Sequence, residues 1–124
     1  MRTIAEVRPE ELVYLTCKFK GVSVEDFFSS RKMGGLPFAR VLVSYMLLWD
    51  DWPLYKVGIF IGRTHANILY YKNLIFYDRT IEGEVYDFAI WMMRNGRTND
   101  SDECIIVPDF SEWKREYINR GLKV

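Results

Sequence analysis

Pro9, Ser23, Pro37, Pro53 and Thr64 each head an apolar segment with helical spacing, and Gly21, Gly62 and Gly96 stand just past three such segments. Proline suits the first turn of a helix, serine and threonine cap its free amides, and glycine accepts the left-handed backbone that closes it. A chain punctuated in this way is confined to short helices joined by tight turns. An all-α, compact multi-helix domain is therefore expected. The 124 residues suit one domain, and a hydrophobic share of 49% with eight Phe, eight Tyr and four Trp supplies its core.

From Pro9, "PEELVYLTCKFK" sets Leu12, Leu15 and Phe19 at helical spacing, with acids first, lysines last and Gly21 beyond. Ser23 opens a short second helix, with Asp26 in the capping-box place. "RKMGGLP" at 31–37 reads as a mobile basic surface loop. Pro37 then starts a third helix running to about Trp49, apolar on most sides and so expected at the centre. Asp50 and Asp51 follow it.

Pro53 starts a fourth helix closed by Gly62, and Thr64 caps a fifth, "THANILYYKNLIFY". Two short helices across a tight glycine turn make a helix-turn-helix, whose second helix enters a DNA groove. A sixth helix is expected from Thr80 to about Asn95, with Gly96 as its stop. Residues 1–95 then form the helix-turn-helix domain, and residues 96–124 a C-terminal extension packed on it. That extension reads as a polar loop, a short strand or apolar strap "CIIVP", and a last helix with Asp109 and Glu112 as its capping box.

Cys17 and Cys104 have no CxxC or CxxH spacing, so no zinc or redox site is built locally, and both read as reduced thiols. The longest apolar run, "VLVSYMLLW", is too short to span a membrane, and a cytoplasmic protein is expected. Net charge is zero, but residues 1–73 hold ten Lys/Arg against seven Asp/Glu, and residues 74–124 seven against ten. Any phosphate-binding surface is thus expected in the first part.

A recognition helix needs polar side chains in its first two turns and apolar ones behind. Thr64, His65 and Asn67 supply the first; Ile68, Leu69, Ile75 and Phe76 supply the second. Asn67 offers adenine a donor and an acceptor, and His65 can donate to guanine or phosphate. Arg63 and the exposed amides at this helix start favour phosphate, with Arg31, Lys32, Arg40, Lys56 and Lys72 adding charge if they share its face. Each of these residues also has a plainer reading: His65 as a surface or capping residue, Arg31 and Lys32 as a solvated loop. Tyr70 and Tyr71 read as packing aromatics, and Trp49, Trp52, Trp91 and Trp113 as core or hinge residues.

The order of these elements resembles the C-terminal DNA-binding domain of the bacterial replication initiator DnaA, a Trp repressor-like helix-turn-helix fold. The resemblance rests on "FKGVSVEDFFSSRK", "FARVLVSYMLL", "LYKVGIFIGRTH" and "ANILYYKNLI", over roughly residues 10–92. In the family the recognition helix begins Gly-Arg-Asp-His-Thr-Thr-Val. The resemblance implies that Arg63 meets phosphate and His65 base edges, that Arg31 and Lys32 belong to a loop entering the minor groove, and that Arg40 touches the DNA backbone. Thr64, Ala66 and Asn67 replace the aspartate and both threonines, which implies a different target sequence. Leu48, Trp49, Asp50 and Asp51 stand where the family often has a basic residue.

No GxxxxGK[ST] occurs, so only the binding module is resembled and no nucleotide is expected as partner. The function implied is sequence-specific binding of double-stranded DNA, in replication or transcription regulation, of phage or mobile-element type. One histidine and two acidic stretches, Asp50-Asp51 and "NDSDE", make catalysis, a metal or a cofactor unexpected. The alternative is a protein-interaction module that kept the fold and lost the DNA, using the C-terminal segment with Phe110 and Trp113.

Overall fold

A computed structural model describes residues 3–95 together with Val107 and Arg115. Among the described residues every regular element is helical: a 3-10 turn Ile4–Glu6, then α1 Pro9–Lys20, α2 Val24–Phe28, α3 Leu36–Trp49, α4 Leu54–Ile61, α5 His65–Tyr77 and α6 Arg79–Asn95. The expected strand or strap at 104–108 and the last helix fall largely outside these residues, as do Cys104 and Trp113.

The opening 3-10 turn was not foreseen. It is held by a reciprocal capping box in which the Thr3 amide donates to Glu6 Oε1 at 3.2 Å, and it buries Ile4. The other starts follow the signals named above. Ser23 Oγ accepts from the Asp26 amide at 3.0 Å, and Thr64 Oγ from the Asn67 amide at 3.2 Å. Helix α6 begins one residue early, because Asp78 Oδ1 accepts from the amides of Thr80 and Ile81 and so acts as its cap.

Three helices end in the same way, with a left-handed residue and a long backbone bond reaching back across the turn. These pair Val22 N with Cys17 O, Trp52 N with Leu47 O and Arg63 N with Gly58 O. Glycine occupies the left-handed position at Gly21 and Gly62, but α3 uses Asp51 at φ 62°. Asp tolerates this region better than most side chains do.

Helix α3 is the axle of the fold. It packs against each of the other five α-helices and the 3-10 turn, and everything from Ala39 to Leu48 is buried. That explains its near-uniform apolar sequence: no face is left for water. Helix α6 closes one side through Val85, Phe88 and Met92, and Phe19 of α1 packs its ring 5.2 Å from that of Phe88. Each such fully buried side chain contributes about 1.5–3 kcal/mol. Lys20 Nζ meets Glu84 Oε2 at 2.7 Å, tying the end of α1 to α6.

Helices α4 and α5 form the helix-turn-helix. Gly58 sits at their closest approach: a Cβ placed there would lie 2.8 Å from the Arg63 carbonyl oxygen. Ile68, Ile75 and Phe76 pack inward as expected. Leu69 does not. It is 39% exposed, and Tyr71 and Lys72 take the inner positions instead. The buried stripe of α5 therefore runs through 68, 71, 72, 75 and 76, the i, i+3, i+4 spacing of an inward helix face. No helix among the described residues is long and apolar enough to cross a membrane.

Candidate nucleic-acid interface

The carbonyl oxygens that end α2 are only partly served from within so short a helix, Asp26 O by the amide and hydroxyl of Ser29, and need further donors. Arg40 supplies them from α3. Its Nε donates to Phe27 O at 3.0 Å, and its Nη2 donates to Asp26 O and Ser29 O, each at 3.0 Å. The side chain is 1% exposed. Most donors of Arg40, expected from the resemblance to touch a DNA backbone, hold the protein's own chain.

Arg63, at the turn before α5, reaches the same spot, with Nη2 2.6 Å from Ser29 O. Two guanidinium groups thus converge on one carbonyl. Among the described residues neither has a carboxylate in ion-pair range. Burial first, and then the nearby Arg63 charge, push the Arg40 guanidinium below its ordinary pKa. The site keeps a net positive character.

Beside this pair lies an open groove of about 390 Å³. Lys32 contributes from the loop, Arg40 from α3, and Arg63 and Asn67 from the turn and first turns of α5. Tyr70 and Tyr71 complete its α5 wall. Tyr71 is buried as expected, but Tyr70 is 59% exposed, against its reading as a packing residue. Its spacing from Asn67, one helical turn, was the signal available for placing it on the groove side. Ser29, which acts through its carbonyl, carried no such signal.

The remaining residues named from the sequence do not line this groove. Arg31 is exposed on the loop and pairs with Asp26 Oδ1 at 3.6 Å. Thr64 is occupied as a cap, receiving both the Asn67 amide and Asn67 Nδ2, the latter at 2.9 Å. His65 is exposed on the first turn of α5. Lys56 sits over the Trp52 ring at 4.0 Å on α4. Lys72 is buried, so the six basic side chains do not form one exposed face. Trp49, Trp52 and Trp91 are half-buried against the core.

No group of three His, Cys, Asp or Glu side chains among the described residues is arranged to hold a metal ion. Compared with known proteins, the chain matches no family model, no curated protein and no solved structure.

Proposed function

We propose that this protein binds double-stranded DNA, inserting the start of α5 into the major groove while the 31–35 loop follows the backbone or minor groove. The observation that carries this reading is the meeting of Lys32, Arg40, Arg63 and Asn67 in one groove, where neither guanidinium group has a carboxylate partner among the described residues. Cationic side chains for phosphate and an amide for base edges are what duplex recognition uses. The resemblance to the DnaA C-terminal domain supports the same assignment, as an accessory replication factor or transcription regulator. In this reading Arg31, Lys32 and Arg63 meet phosphate, His65 and Asn67 read bases, and Arg40 holds the loop in place.

The test is a fluorescence-anisotropy titration against randomised duplex DNA at two salt concentrations. Affinity should fall steeply with salt, and the Lys32→Ala/Arg63→Ala variant should lower the log–log slope by about 2. Asn67→Ala should weaken only preferred sequences. Absence of binding at low salt would end this reading. It would favour a protein-interaction module, for which the observation is the outer face of α4: Tyr55 and Ile59, one turn apart, are 63% and 76% exposed.

A further inference from the structure

Arg40 has five N–H donors, and its contacts account for only three of them. Its Nη1 has no acceptor among the described residues, although the side chain is 1% exposed and is one of those lining the groove. A buried cation with unused donors and no counter-charge is costly unless an anion completes it. Arg63 and Lys32 stand on the same groove. A tetrahedral oxyanion suits this arrangement, since guanidinium groups present paired N–H bonds to phosphate oxygens.

The groove also offers more than charge. Tyr70 presents a largely exposed ring on its wall, with the Tyr71 ring 6.2 Å away and tilted by 52°. Asn67 gives one amide hydrogen to Thr64, and its Oδ1 has no donor among the described residues, which suits the amino group of adenine or cytosine. A phosphate seat, an aromatic platform and an amide acceptor lie within about 390 Å³, a volume suited to a small ligand.

We propose that this groove is a mononucleotide-binding site, with the phosphate held by Arg40, Arg63 and Lys32 and the base set against Tyr70 within reach of Asn67. The site stands apart from any glycine-rich phosphate loop, whose absence from the sequence made a nucleotide partner unexpected. It also goes beyond duplex binding, because a base inside a duplex cannot lie flat on Tyr70. A nucleotide in this groove occupies the Lys32 and Arg63 side chains that the DNA reading uses, so the two ligands compete.

The experiment is calorimetric titration of the full chain with adenosine monophosphate, with adenosine and inorganic phosphate as separate probes and duplex DNA in parallel. Adenosine monophosphate should bind more tightly than either probe alone, and Tyr70→Ala and Arg63→Ala should each weaken it about tenfold. Both substitutions are at solvent-accessible positions, and circular dichroism checks that each variant is folded. Competition between adenosine monophosphate and duplex DNA is the further expected result. Absence of adenosine monophosphate binding, or binding that both variants leave unchanged, overturns the proposal. Duplex binding without nucleotide binding overturns this inference alone, whereas nucleotide binding without duplex binding upholds it and ends the DNA reading.

Discussion

Arg40 and Arg63 share the carbonyl oxygen of Ser29, with their Nη2 atoms 3.0 and 2.6 Å from it. The contact joins three parts of the chain that are far apart in sequence: the end of α2, the axle helix α3 and the turn that launches α5. It sets where the 31–35 loop stands relative to α5. Like charges hold this position because each is engaged by backbone oxygens, whose dipoles offset the repulsion.

Replacing Arg40 by methionine keeps most of the buried volume but deprives the Phe27 carbonyl of its donor and takes one donor each from the carbonyls of Asp26 and Ser29. Stability should fall by on the order of 3 kcal/mol. The check is a lower urea midpoint at unchanged slope. A variant as stable as the parent would mean that water satisfies these oxygens.

Gly58→Ala places a methyl group 2.8 Å from the Arg63 carbonyl, which is backbone and cannot turn aside. The expected cost is about 1–3 kcal/mol. Amide chemical shifts at 63–67 should move with it, since α5 has to tilt away. Thermal unfolding and a two-dimensional NMR spectrum measure both effects.

Thr64→Ala removes the oxygen that receives the Asn67 amide and side chain. A loss of about 1 kcal/mol is expected, with Thr64→Ser close to the parent. If alanine and serine behave alike in denaturant titration, the cap carries no stability.

Burial raises the Cys17 thiol to about 11 from its ordinary 9.0, against a smaller opposing effect of Arg40. The folded protein should therefore resist a thiol-specific disulfide reagent at neutral pH and react only on unfolding. An unfolded chain ionises this thiol first, so its contribution to stability is complete below pH 9.0 and is lost as pH rises toward 11. Cys17→Ala should flatten that alkaline decline; an unchanged decline would assign it to other groups.

Much of the helical frame was legible in the sequence because its signals are local. Pro9, Ser23, Pro37, Pro53 and Thr64 act through the backbone within one turn, and Gly21 and Gly62 through their own φ. Asp51 was harder to read, since a non-glycine residue takes the left-handed position there. The groove was half legible: Lys32, Arg63 and Asn67 were named from their types and spacing. The role of Arg40 was not, because its partners are main-chain oxygens and carbonyls have no letter in the sequence. Leu69 and Tyr70 were misplaced for a related reason. The inner face of α5 is chosen by what α3 and α4 leave open, and polar Lys72 is drawn into it.

The burial of α3 has a consequence for how such a protein can diverge. Every position from Ala39 to Leu48 is enclosed, so substitutions there meet neighbours on all sides. The 31–34 stretch, His65, Asn67 and Tyr70 are exposed and can be exchanged without disturbing that enclosure. Substitutions at these exposed positions can thus remodel the surface while the enclosed helix keeps the fold.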